Sequence, residues 1–443
     1  MSGFIQYFLS VIDPTQNVGF SRALPQLMSS GLISWWLMYV IPVGIGFLPG
    51  IVCWVVYLVN PAVIRPPLPA RTPQAWPLVS VVIAGRNEAA SIGQAIRAAL
   101  LCGYANLEVI FVDDCSDDDS VVIARRAARS VTRQGSDDNR VRIFPSPRRN
   151  GKASSLNIGI RMARGEFIAI IDADSTIQYG AMQHWLLPFA DSRVGAVSAN
   201  IRVLNSSTCL LTRLQELEYA MKFTVTRYAL ARMGILPIIP GMGGLFRAEI
   251  LHRLGGFDTG LGDDTDMTMN LRKRRWKLAF SLDAVVWTIV PVTRRHLWSQ
   301  RMRWQRNLVK IRLSKHRDQF VLGRYGLANA ILAIEQVIVL FILPWVGLIG
   351  LFSVMLDSGP FSAPEVLTRI YWIYVAFLLV KTLIARDFAS TPQPSHFWLL
   401  FLYPFYGLFL RLPTMYAELC ELFRIGAKHP YVPDHIWQEI PWW

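Results

Sequence analysis

Three short apolar runs constrain this chain more than any other feature: residues 78–84 (LVSVVIA), 107–112 (LEVIFV) and 167–171 (FIAII). Runs of this length, rich in β-branched side chains, read as buried strands. A further strand is predicted at 141–144, and segments of helical composition lie at 89–101 and about 120–131. Strand and helix alternate after a Pro-rich linker at 61–77. This pattern predicts an α/β domain with a mostly parallel sheet. Ligands of such sheets bind beyond the carboxyl ends of the strands.

Carboxylates cluster at those ends. Residues 113–119 (DDCSDDD) follow the second run, and Asp172-Ala173-Asp174 follows the fourth strand. An Asp-x-Asp pair can place two hard oxygen ligands near one divalent ion, which then bridges the phosphate oxygens of a diphosphate leaving group. Each cluster also fits a plainer reading, a solvated acidic turn or an Asx-rich turn that caps the next helix. The acidic run lacks the glycine an EF-hand needs at its sixth position. Asn150-Gly151-Lys152 resembles the end of a Walker A loop, but Ser146 and Ala153 occupy positions where that loop needs Gly and Ser or Thr. The turn Gly85-Arg86-Asn87-Glu88 lacks the dinucleotide fingerprint, the five cysteines have no paired spacing, and the seven histidines form no HExxH.

At 443 residues the chain is 52% apolar, with a mean hydropathy of +0.32, high for a wholly soluble enzyme. Residues 33–59 carry no charge, exceeding the roughly 20 apolar residues that span a bilayer. One membrane helix is predicted there, too long for the core of a signal peptide. Three more spans are predicted at 327–356, 370–384 and 397 to about 417. Glu335, within the first of these, suits either an interfacial end-of-span position or a pore lining. The net charge of +14 comes without any nucleic-acid-binding signature, so no nucleic acid partner is expected. Arg65 and Arg71 on one side of the central segment, and the basic residues from Arg294 to Arg317 on the other, place that segment in the cytosol, beside the lipid of a plasma or bacterial inner membrane. For the C-terminus the signals conflict: three spans lead outside, while Arg411, Arg424 and Lys428 favour the cytosol. Two amphipathic stretches, 210–233 and 296–320, lie on the membrane surface or, for the first, pack on the central domain.

Further motifs follow in a fixed order: 241–244 (GMGG), 255–258 (GGFD), 263–266 (DDTD) and 300–304 (QRMRW). From about residue 79 to 304 the chain resembles the family-2 glycosyltransferases, within them the branch of cellulose, chitin, hyaluronan and poly-N-acetylglucosamine synthases. The resemblance implies a GT-A-like nucleotide-sugar-binding domain in which Ala84 and Asp114 contact uracil, with Glu88 nearby, and Lys152 and Asn157 complete the donor pocket. It implies that Asp174, helped by Asp172, holds Mg²⁺ or Mn²⁺. Asp264 matches the general base, and Asp263 stands where most of the family has Glu, as in hyaluronan synthases. Gln300 or Arg303 would reach the donor phosphates, and Trp304 would stack on the acceptor sugar; an interfacial anchor is the plainer role for this indole.

The implied organisation is a membrane segment and linker over 1–75, a glycosyltransferase domain over 76–295, QxxRW and interfacial helices over 296–326, and a membrane region over 327–443. The implied reaction transfers sugar from UDP-glucose or UDP-N-acetylglucosamine with inversion, extending and exporting a β-linked glycan. A single addition to a membrane lipid, as in ceramide glucosyltransferases, is the alternative. The expected partners are the donor, the growing glycan and the bilayer, with room for a homo-oligomer or accessory export subunits.

Overall fold

The computed structural model describes residues 76–131, 140–259, 263–321, 325–357, 359–388, 397–423 and 425, together with 51, 52, 54, 55, 58 and 59. Most of the span predicted at 33–59, the linker arginines, Arg424 and Lys428 lie outside the described residues.

The apolar runs form β1 (Val79–Gly85), β2 (Leu107–Asp113) and β4 (Phe167–Asp172), buried along almost their whole length. Burial on both faces is what an apolar run without alternation demands. β3 (Val141–Pro145) is half exposed, as an edge strand closed by proline should be. Between β1 and β2, α1 (Ile92–Leu100) buries Ile92, Ala95, Ile96, Ala99 and Leu100, one helical stripe, and leaves Arg97 in solvent. α2 (Ser120–Val131) and α3 (Lys152–Met162) precede β3 and β4.

β5 (Ser175–Ile177), α4 (Ala181–Leu186) and β6 (Val194–Val203) follow. Next come α5 (Leu210–Tyr219), a π-helical segment (Ala220–Thr226) and α6 (Arg227–Arg232). β7 (Gly244–Arg247), α7 (Ala248–Leu254), α8 (Asp263–Lys273) and β8 (Lys277–Thr288) complete an eight-stranded sheet of order β3-β2-β1-β4-β7-β6-β8-β5. The sheet is mostly parallel, as the sequence predicts, with two reversed strands. β1–β4 and the pair β6–β8 are parallel, but β7 runs antiparallel to both β4 and β6, and β5 antiparallel to β8. The chain goes from β1 outward through β2 to β3, then returns to place β4 on the other side of β1. This reversal opens a crevice at the carboxyl ends of β1 and β4.

The stretch 210–233 is taken up mainly by protein contacts: Leu214, Gln215, Glu216, Glu218, Tyr219, Met221, Thr224 and Arg227 are all buried. α9 (Arg294–Val309) lies against α13 (Leu399–Leu422) through Gln305 to Glu418 at 2.7 Å, Lys310 to Glu421 at 3.4 Å, and Arg306 to Glu421. The region after α9 also contains α10 (Leu327–Val337), α11 (Leu343–Asp357) and α12 (Gly359–Phe388). Contacts divide the chain into two compact units, one containing Glu335–Tyr374 and the other Pro49–Ile334 with Val375–Trp443.

Among the described residues no helix is long and apolar enough to cross a membrane. The run 327–356 is helical throughout, with one π-helical turn (Ile338–Ile342) inside it. α12 carries Lys381, Arg386 and Asp387, and α13 carries Arg411, Glu418, Glu421 and two prolines. The side chain of Glu335 lies outside the described residues.

Candidate active site

The strand register brings the carboxyl ends of three strands level: Gly85 pairs with Asp113, and Ala84 with Asp172. A cleft of about 130 Å³ opens there, lined by Ala84, Gly85, Arg86, Asp114, Arg149, Lys152 and Ser155. Of the acidic run, Asp114 alone is in this lining. The Asp113 carboxylate accepts from the Ser116 amide and hydroxyl, and Asp118 accepts from the Ser120 and Ala89 amides. The capping reading therefore holds for Asp118, which meets the first amide of α2, while Asp113 closes the turn before it.

Asp114 is buried, and its two oxygens accept the backbone amides of Asn150 at 2.6 Å and Gly151 at 2.9 Å. Gly151, at φ 85°, occupies backbone space that side chains disfavour and starts α3. The carboxylate thereby fixes the loop that delivers Lys152, whose ammonium sits 2.6 Å from Asp172 Oδ1.

Asn157 is placed elsewhere than in the cleft lining. Its amide nitrogen donates to Phe257 O and its oxygen accepts from Phe257 N, both at 2.7 Å. Gly256, at φ 85°, leaves no room beside it: a Cβ would stand 2.2 Å from Asn157 Oδ1. Asn157 and the GGFD motif thus form a clasp between α3 and the loop leading toward α8.

Asp174, half-buried, accepts from the Ser175 hydroxyl at 3.0 Å. Desolvation, then the charge of neighbouring Asp172, pushes its carboxyl up to about 7. Burial likewise raises Glu88, with Asp172 and Asp118 adding to the effect and the Ser91 hydroxyl opposing it. Two carboxylates that repel each other, one of them paired with the cleft-lining Lys152, fit a divalent cation, whose charge would relieve the repulsion. Among the described residues no group of three or more acidic, His or Cys side chains is placed to hold a metal ion. The remaining ligands would be phosphate oxygens and water, the arrangement Mg²⁺ commonly takes.

Asp264 stands in the first turn of α8, where its carboxylate accepts the Thr265 amide at 2.7 Å. Gly241 lies between the two halves of the site: a Cβ there would be 3.7 Å from Asp264 Cβ and 3.8 Å from Lys152 Nζ. The GMGG turn therefore lets the base candidate and the Lys152–Asp172 pair approach one another. The Asp263 side chain lies outside the described residues. Asp266 is committed elsewhere, to His316 at 2.8 Å and Lys315 at 2.7 Å.

α9 carries Gln300, Arg303 and Trp304, each half-buried. Gln300 Oε1 is buried without a hydrogen-bond partner, as are several other amide oxygens among the described residues. Sequence reasoning missed two further arginines. Arg301 is buried and donates to Glu218 at 2.9 Å. Arg227 is buried with its guanidinium 4.4 Å from the Phe223 ring; burial lowers it to about 10, against the attraction of Asp264 and Tyr219. The π-helical segment just before Arg227 is an irregularity frequent at functional sites, but it has no sequence signature.

The family described as "Glycosyltransferase like family 2" matches residues 76–307, over half of the chain. The probable glycosyltransferase YdaM of Bacillus subtilis (strain 168) is 28% identical over 333 residues, 74% of this chain and 78% of that protein. The poly-β-1,6-N-acetyl-D-glucosamine synthase of Staphylococcus aureus (strain COL) is 27% identical over 277 residues, 62% of this chain. That match spans 64% of the synthase, under two thirds of its length. Among solved structures, the mannosyltransferase PcManGT from Pyrobaculum calidifontis, in complex with GDP-Man and Mn²⁺, superposes with a TM-score of 0.59 at 22% identity. It covers 88% of this chain and 99% of its own, and shows a shared GT-A-like fold.

Proposed function

As a member of glycosyltransferase family 2, this chain is a glycosyltransferase, and we propose that it extends a β-linked polysaccharide from UDP-N-acetylglucosamine or UDP-glucose with inversion at the anomeric carbon. The observation that carries this reading is the convergence of Asp264 and the Lys152–Asp172 pair on Gly241, beside a cleft of about 130 Å³. The likeness to the N-acetylglucosamine polymer synthase supports the product class.

In the proposed step the Asp264 carboxylate takes the proton of an acceptor hydroxyl as its oxygen bonds to the anomeric carbon, while the bond from that carbon to the diphosphate breaks and UDP departs. Lys152 offsets charge on the leaving diphosphate, and Gln300 and Arg303 contact the donor. A divalent ion, Mg²⁺ or Mn²⁺, held by Asp172 and Asp174, would supply further charge neutralisation of the diphosphate when bound. Trp304 receives the acceptor's terminal sugar. We further propose that the enzyme works at a membrane with its catalytic domain cytosolic. Support comes from the basic flanks and from Phe401, Phe405, Leu408, Leu412 and Tyr416, which are exposed along one side of α13.

A radiolabel screen of purified protein across UDP-sugars tests the proposal. A long glycan in the aqueous or insoluble fraction is expected from one donor. A chloroform-soluble glycolipid as sole product would replace this reading with single addition to lipid.

A further inference from the structure

We propose that Arg301 is a positioning residue for the acceptor: clamped by Glu218, its guanidinium covers one face of the Trp304 indole, so the incoming sugar is received on the other. This inference rests on the reading of Trp304 as acceptor platform. Residues three apart on a helix share a side, and α9 sets the Arg301 guanidinium carbon 4.3 Å from the Trp304 ring centroid. Arg301 is only 6% exposed, whereas Trp304 keeps part of its surface open. The indole thus carries a cation on one face while part of its surface stays open.

A guanidinium buried this deeply persists only when its charge is answered. Glu218 on α5 supplies the answer. Its carboxylate takes Arg301 Nη2 at 2.9 Å, the Tyr406 hydroxyl from α13 at 2.7 Å and the Lys222 ammonium at 3.1 Å. Three helices therefore fix one carboxylate, which fixes the arginine plane against the indole. The same network adjoins the donor side. Tyr219, next to Glu218 and buried, lies within electrostatic reach of both Arg301 and Asp174.

The arrangement needs a planar cation. Lysine at this position could still pair with Glu218 but has no plane to lay on the ring. In the full-length enzyme, Arg301→Lys should lower sugar incorporated per UDP released on the order of tenfold, the scale of a desolvated cation–π contact, and raise the acceptor KM while the donor KM stays near wild type. Trp304→Ala should lose coupling in the same way, and the double variant should be no worse than Trp304→Ala alone, because both act through one indole. Tyr406→Phe, which removes one of the bonds holding Glu218, should give a smaller loss of coupling and serves as the test if Arg301→Lys does not fold.

Equal losses of donor hydrolysis and transfer in Arg301→Lys would make Arg301 a scaffold residue and overturn the proposal. So would wild-type coupling, or multiplicative losses in the double variant. With Arg301→Lys unfolded, wild-type coupling in Tyr406→Phe overturns it as well. If Trp304→Ala itself couples normally, the acceptor-platform reading fails first; if it is impaired while Arg301→Lys is normal, this inference alone fails.

Discussion

On the donor side of the cleft, Asp114, Asp172 and Asp174 stand at or just past strand ends whose positions the β-ladder sets, and Asp114 is tied to main-chain amides. On the acceptor side, Asp264, Arg301 and Trp304 sit on helices. There the Glu218 carboxylate is met by partners as far away in sequence as Tyr406, 188 residues on. One side is organised by backbone, the other by buried charge pairs. The difference matters energetically. Past the end of β4, burial and the charge of Asp172 push the Asp174 carboxyl up. A buried pair that loses one member leaves an uncompensated charge.

The sharpest way to break this comparison is to remove the uncomfortable carboxylate. Asp174→Ala should abolish transfer while leaving thermal stability at or above wild type, because the carboxylate contributes repulsion to the fold. Chelation should abolish transfer in the wild type and Mn²⁺ or Mg²⁺ should restore it. Full activity in excess chelator would remove the metal from the donor side.

A smaller loss is expected across the cleft. Asp264→Asn should lower turnover by roughly 10²-fold or more, the usual scale for a lost general base, with UDP affinity nearly intact by titration. Loss of UDP affinity in step with turnover would show that the two sides are not separable.

The mildest effect concerns pH. With the Asp174 carboxyl raised to about 7, protons compete with the cation below that value and not above it. Divalent-ion affinity measured by calorimetry should rise about tenfold per pH unit up to about 7 and flatten beyond it. A pH-independent affinity would place the ion elsewhere.

The two sides also differed in how well the sequence announced them. β1, β2 and β4 were legible because an unbroken apolar run must be buried wherever the chain goes, and the carboxylates that follow then fall at strand ends. Within 113–119, however, nothing local separates Asp114, which turns to the cleft, from Asp113 and Asp118, which bond to nearby amides and hydroxyls. β7 escaped notice because it has four residues and begins on a glycine, too little pattern to predict the antiparallel insertion. Asn157 lies in a motif but is occupied by Phe257, a partner 100 residues away. In the sequence Arg301 is one of the basic residues between Arg294 and Arg317 that read as a membrane flank. Only the fold brings Glu218 to it from 83 residues upstream. Hydropathy along 327–356 carries no signal of the π-helical turn within it.

The central claim, that donor chemistry and acceptor holding reside in separable halves of one site, is tested most directly through Trp304. The measurement is UDP released and sugar incorporated in the same reaction, per mole of folded enzyme, for wild type and Trp304→Ala. The account predicts that the variant still binds UDP and hydrolyses donor but incorporates little sugar and makes little or no polymer. Polymer matching the wild type in rate and length, or donor hydrolysis lost together with incorporation, would contradict it.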